Sequence, residues 1–193
     1  MEKQSLKWGP VVVVEQVLRS ATLDRLIADV REVVGAGHDA ADTSAAVAER
    51  LQPYLQDESL LLPEQQEPDP NHYRQHVLHV EPGGSFSIVS LCWLPGQETP
   101  IHDHVSWCVV GVHQGLELET NYRLAVDADG EETLAETEIL SCTPGMTEAL
   151  TPPGDIHKVS NAGDDLAISI HIYGADIGKL GSSILRRYEQ PVV

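Results

Sequence analysis

A chain of 193 residues is long enough for one domain with a real core and short for two. Twelve basic residues against 30 acidic ones give a net charge of −18, so neither a nucleic-acid backbone nor an anionic membrane is an expected partner. The acidity reads as solubility, and it still admits an anionic small molecule where a pocket carries a local positive centre. Three cysteines, Cys92, Cys108 and Cys142, stand at unrelated spacings, which is no disulfide framework and suits a reducing, cytoplasmic setting.

The apolar run Val11–Val14 is too short for the core of a signal peptide, and Glu15 interrupts it. From Ser20, Leu23, Leu26, Ile27, Val30, Val33 and Val34 form a helical stripe that Asp24 complements and Gly35 and Gly37 end. A second helix is expected from Thr43, as its cap, through Val47, Leu51 and Leu55, limited by Pro53. Residues 56–71 form an acidic connector with prolines. From His72 the texture changes to short alternating runs. Strands are expected over 85–93, 101–112, 116–124, 133–142, 147–150, 157–161 and 166–173. Turns at Pro82-Gly83-Gly84, Pro95-Gly96, Asp129-Gly130, Pro144-Gly145, Pro153-Gly154 and Ala162-Gly163-Asp164 separate them. That pattern indicates a sandwich, jelly roll or barrel. A last short helix is expected within 179–188.

His102 and His104 lie two apart, so on a strand both imidazoles face one way and Asp103 the other. Parity puts Ser106, Cys108, Val110 and Val112 on the histidine face and Trp107, Val109 and His113 on the opposite one. The isolated His38, His79 and His113 suggest no function. A lone His-x-His pair is weak evidence of a metal, but its surroundings strengthen it. Gly96, His102, His104 and Gly115 resemble the first motif of the cupin superfamily, with Cys108 where an acidic ligand usually stands. Pro152, Gly154, His157 and Asn161 resemble the second. The resemblance implies an all-β core, the cupin double-stranded β-helix or jelly-roll barrel, with N-terminal α-helices. The expected organisation is a single domain over 1–193: a helical region over 1–70, the barrel over 72–178 and a tail over 179–193.

Four segments, 86–93, 100–108, 154–161 and 168–178, are similar to the cysteine dioxygenase family of thiol dioxygenases, and the resemblance spans roughly 72–178. It implies that His102, His104 and His157 ligate Fe(II), and that Ser169, His171 and Tyr173 form an outer row ending near substrate and oxygen. Strand parity independently puts these last three on one face. Three neutral imidazoles without a carboxylate suit a thiolate ligand together with dioxygen, both oxygen atoms ending on sulfur as a sulfinic acid. Cys108 matches a cysteine that forms a thioether with the tyrosine in some members, while other bacterial members have glycine there. For the far end of the substrate the candidates are Gln75 and its neighbour Arg74, of which only one can face the metal from a strand. Members with glutamine there have a partner arginine soon after the Tyr-Gly-Ala-x-Ile-Gly run; this chain has Lys179 to Ser183 at that place and Arg186 and Arg187 later.

The expected function is oxidation of a small thiol such as L-cysteine by dioxygen, in a monomer or small homo-oligomer. The alternatives are 3-mercaptopropionate or another thiol acid as substrate, a three-His zinc enzyme that activates water, and a non-catalytic ligand-binding cupin.

Overall fold

A computed structural model describes residues 19–126 and 130–193. The valine run at 11–14 and Asp129 of one expected turn lie outside the described residues. Helix α1 (Ala21–Gly35) starts where Ser20 accepts a hydrogen bond from the Leu23 N–H. Helix α2 (Ala40–Leu51) starts three residues earlier than its apolar stripe suggests. Asp39, not Thr43, caps it, accepting from the Asp42 N–H, while Thr43 is buried within it and donates to the His38 carbonyl. The periodicity of Val47 and Leu51 carries no information about the alanine-rich first turn, so the stripe alone does not mark where the helix starts. Pro53 falls in a 3-10 turn that ends the helix.

The strands are β1 (Arg74–Val80), β2 (Ser87–Trp93), β3 (His102–His104), β4 (Cys108–Gln114), β5 (Glu117–Val126), β6 (Glu132–Cys142), β7 (Thr147–Leu150), β8 (His157–Asn161) and β9 (Ala167–Tyr173). A four-residue helix, α3 (Ile177–Leu180), and strand β10 (Ile184–Arg187) follow. They form two antiparallel five-stranded sheets, ordered β1-β2-β9-β4-β7 and β10-β3-β8-β5-β6. These sheets and the connections between them are the cupin double-stranded β-helix. The run 101–112 is two strands rather than one: residues 105–107 break it, and its halves enter different sheets. Cys108 follows His104 by four residues, so Cys108 and Val110 still point into the barrel, while Ser106, half-buried in the break, donates its hydroxyl to the Trp107 carbonyl. The tail also differs from expectation. Gly181, at φ 74°, closes α3 after one turn, and the residues that follow extend to pair with β3.

The first sheet has two different faces. Ile168, Ile170 and Ile172 of β9 turn outward with Ile88 and Val109, and α1 and α2 cover them with Leu23, Leu26, Val30, Val47 and Leu51, joined by Leu55 just past the 3-10 turn. Each fully buried leucine contributes about 1.5–3 kcal/mol of apolar transfer. Gly111 permits the approach, because a Cβ there would sit 2.7 Å from the Leu51 side chain. Gly115 turns the chain between β4 and β5 at φ 81°, and a Cβ there would meet the Ala167 backbone at 2.7 Å. The inner face carries Val89, Leu91, Trp93, Cys108, Val110 and Tyr173, and this face meets the second sheet. No helix among the described residues is long and apolar enough to cross a membrane.

Candidate metal centre

Strand period does most of the positioning. His102 and His104 project from β3 into the barrel, and His157 at the start of β8 lies directly opposite His102. The three rings are nearly inaccessible, at 4%, 2% and 1% exposure. One nitrogen of each lies within 4.8 Å of the others. Asp103, facing away, accepts from Arg186 at 2.6 Å and from the Tyr188 hydroxyl at 2.8 Å, which ties β3 to β10.

The other nitrogen of each ring is fixed. His102 Nδ1 lies 2.9 Å from the Pro100 carbonyl, His104 Nδ1 2.9 Å from Asp155 Oδ2, and His157 Nδ1 2.9 Å from Glu119 Oε1. Each acceptor requires a proton on Nδ1, which leaves the Nε2 lone pair for the common centre. His157 Nε2 is buried and without a hydrogen-bond partner. Burial, and then the neighbouring imidazoles, hold His102 well below its ordinary pKa; burial and His104 bring His157 down to about 3. Neutral rings, free inward lone pairs and an orphaned buried nitrogen are what a divalent cation with nitrogen ligands requires. Burial raises Glu119 to about 7, with His104 opposing, and a dication at the centre would pull it back toward the ionised form.

Facing the histidines is a pocket of about 370 Å³, counting space open to solvent. Tyr73, Gln75, Thr99, Ser182 and Ser183 supply its polar edge, and His171 and Tyr173 its inner wall. Gln75 therefore lines the pocket. Arg74, its neighbour on β1, turns away and reaches Glu67 at 3.5 Å, so it is not placed to touch a ligand there. Tyr173 OH lies 3.1 Å from His171 Nδ1, and His171 Nε2 lies 2.9 Å from Ser169 Oγ. Cys108 is the register partner of Tyr173 across β4 and β9, and both side chains are buried in the same cluster. His113 gives its Nδ1 to the Leu55 carbonyl, away from the site.

Several participants were not legible in the sequence. Asp155 sits two residues before His157 inside the second motif, which was a usable signal. Glu119 gave a misleading one: in Leu116-Glu117-Leu118-Glu119 an alternating strand would ordinarily bury the leucines, yet Glu117 and Glu119 are the buried pair. Trp93, whose Nε1–H donates to Ser169 Oγ at 3.1 Å, ends the segment 86–93, and nothing local in the sequence pairs it with Ser169.

A cupin barrel closing around three buried histidines with a shared centre defines a candidate metal-binding protein. A family model for cysteine dioxygenase type I matches residues 13–181, and the chain belongs to that family. Among solved structures, the chain is similar to a double-stranded β-helix protein from Klebsiella pneumoniae (19% identity over 62% of this chain and 92% of that one, TM-score 0.44). A cupin superfamily protein from Desulfitobacterium hafniense matches at 15% identity over 63% of this chain and 94% of that one, TM-score 0.44. An oxalate oxidase matches at 21% identity over 56% of this chain, TM-score 0.43; the matched part is 53% of the oxidase, so the chain spans about half its length.

Proposed function

We propose that this protein is an iron(II)-dependent thiol dioxygenase that converts a small thiol such as L-cysteine into its sulfinic acid. The observation that carries the reading is the pairing, in one pocket, of an all-imidazole donor set with the Tyr173–His171–Ser169 row. His102, His104 and His157 would hold the ion. When bound, ferrous iron supplies the centre at which a thiolate and dioxygen combine, and the all-neutral ligand set leaves its charge free to favour an anionic sulfur.

The chain's own residues do the rest. Asp155, Glu119 and the Pro100 carbonyl keep the three Nε2 lone pairs aimed inward. The pocket's apolar members, Leu91, Val159 and Ile184, limit water around the reacting sulfur. Gln75, with its amide near the Tyr73 hydroxyl, is the polar group we assign to the far end of the substrate. Ser182 and Ser183 line the pocket where glutamine-type relatives resemble one another in having an arginine, so this end is read by hydrogen bonds. Tyr173, held by His171, orients its hydroxyl toward the space in front of the histidines. A thiol acid such as 3-mercaptopropionate is the second substrate reading, supported by Gln75 rather than Arg74 in the pocket.

The test is oxygen uptake by the iron-loaded protein with cysteine, 3-mercaptopropionate, cysteamine and mercaptosuccinate. Uptake coupled to sulfinate formation with at least one of them is expected. Bound zinc with no uptake would move the reading to a hydrolytic enzyme, and thiol binding without turnover would move it to a ligand-binding cupin.

A further inference from the structure

The inward row of β9 leads away from the metal pocket toward the closed end of the barrel. It runs from Tyr173 to His171 to Ser169, with Ser169 fully buried. Beyond Ser169 lies a second cavity, lined by Val110, Val112, Met146 and Val159 together with Glu117, Glu119, Glu148 and Cys142. Glu117 comes from β5 in the opposite sheet, and its carboxyl faces the Ser169 hydroxyl. It is 1% exposed, and its Oε1 has no hydrogen-bond partner. A buried acid with an orphaned oxygen needs an explanation, because an unpartnered buried polar atom costs about 1–3 kcal/mol.

Counting protons along the row supplies one. An indole N–H only donates, so Trp93 permanently occupies one lone pair of Ser169 Oγ. The hydroxyl has one proton and one lone pair left, to be shared between Glu117 and His171. Burial keeps His171 neutral, holding its pKa well below the ordinary value, so its ring carries one donor and one acceptor. With the Glu117 proton, when present, turned toward Ser169, two arrangements satisfy these limits. If Glu117 carries a proton, it donates to Ser169, Ser169 donates to His171 Nε2, and His171 Nδ1–H donates to Tyr173. The tyrosine proton is then free to point at the substrate. If Glu117 is ionised, Ser169 donates to it, His171 Nε2–H donates to Ser169, and Tyr173 gives its proton to His171 Nδ1, away from the substrate.

We propose that Glu117 is a positioning residue of this row, and that its protonation state sets the direction in which the hydrogen bonds of Ser169, His171 and Tyr173 point. The consequence for catalysis rests on the thiol dioxygenase reading; the coupling itself does not. The surroundings favour the protonated form at neutral pH. Burial raises the Glu117 pKa to about 8, the Ser169 hydrogen bond opposes the rise and the Glu119 charge adds to it. The titratable groups facing it are Glu119 on its own strand, Cys142 of β6 and Glu148 of β7; β9 presents the Ser169 hydroxyl, and β4 and β8 present Val110, Val112 and Val159. No lysine or arginine is among the lining groups, so only the Ser169 hydrogen bond draws the carboxyl toward ionisation.

The deciding experiment follows the His171 tautomer by nitrogen-15 NMR in the full chain loaded with zinc, which is diamagnetic, with the signals identified by their loss in His171→Gln. Wild type is expected to carry the proton on Nδ1 below about pH 8 and on Nε2 above it. Glu117→Gln, whose amide always has a proton to give to Ser169, should keep the Nδ1–H form throughout. Ser169→Ala, which cuts the link, should show no changeover. A wild-type ring that keeps one tautomer at every pH, or a changeover that survives either substitution, overturns the proposal. The iron-loaded enzyme gives a second readout: the ratio of Glu117→Gln to wild-type oxygen uptake should rise about tenfold between about pH 7 and about pH 9. A flat ratio also overturns it. Absence of uptake with every thiol would instead sink the functional reading, and the tautomer measurement would still stand.

Discussion

Replacing Asp155 with asparagine swaps one carboxylate oxygen for an amide nitrogen at a site 7% exposed, and the change falls on His104 from two directions. Asp155 Oδ2 accepts both the His104 ring proton at 2.9 Å and its backbone N–H at 3.2 Å. The charged acceptor fixes the Nδ1–H tautomer and raises the basicity of Nε2, so a neutral amide weakens the ligand without removing it. Substitutions of this kind cost about 10–100-fold in metal affinity, or about 1.4–2.8 kcal/mol. With metal well above its dissociation constant, that loss is subtracted from the stabilisation binding provides. For a chain of 193 residues, at about 2–4 °C per kcal/mol, the melting temperature of the loaded variant should fall by about 3–11 °C more than that of the metal-free variant. Thermal melts with and without metal, alongside competition against a chromophoric chelator, measure both quantities. Equal affinity in variant and wild type would refute the reasoning, because the carboxylate would then have no part in aiming His104.

Three further outcomes follow from the same geometry. Gln75→Ala should raise KM at least tenfold for the preferred thiol, whereas Arg74→Ala should change it less than twofold, because only Gln75 lines the pocket; steady-state kinetics on the two variants checks this, and equal effects would contradict it. Turnover should join the adjacent Cys108 and Tyr173 side chains, with dioxygen removing one hydrogen from the thiol and one from the ring; peptide mass spectrometry should show the loss of two hydrogens, absent in Cys108→Ser. Metal-free protein should be most stable between about pH 4.5 and about pH 6.5. Below that window the unfolded chain protonates its histidines while folded His157, at about 3, resists, and Glu81, held near 2 by Arg31, loses its ion pair. Above it, folded Glu117 and Glu119 retain protons to about 8 and about 7 that the unfolded chain has already released, so stability falls as pH rises. Denaturant midpoints across pH measure the curve, and a maximum at alkaline pH would contradict it.

The parts of the molecule legible in the sequence are those governed by a short period. Two residues per repeat put His102 with His104, and Ser169 with His171 and Tyr173, on common faces, and the isoleucines between the latter face α1 and α2. Stripes at helical spacing located both helices. What local pattern could not show depends on contacts distant in sequence. The start of α2 was set by Asp39, outside the apolar stripe. β10 exists because β3 offers it an edge and Asp103 holds Arg186 and Tyr188, a pairing 83 to 85 residues apart. Glu117 and Glu119 look like surface residues of an alternating strand until the opposite sheet and the metal centre are in place to receive them.

The central claim, that the three-histidine pocket oxygenates a thiol, is tested most directly with dioxygen labelled with oxygen-18. Iron-loaded protein turning over its preferred thiol should yield a sulfinate whose two oxygen atoms both carry the label. A product labelled at neither position, or disulfide with no labelled sulfinate, would contradict the account.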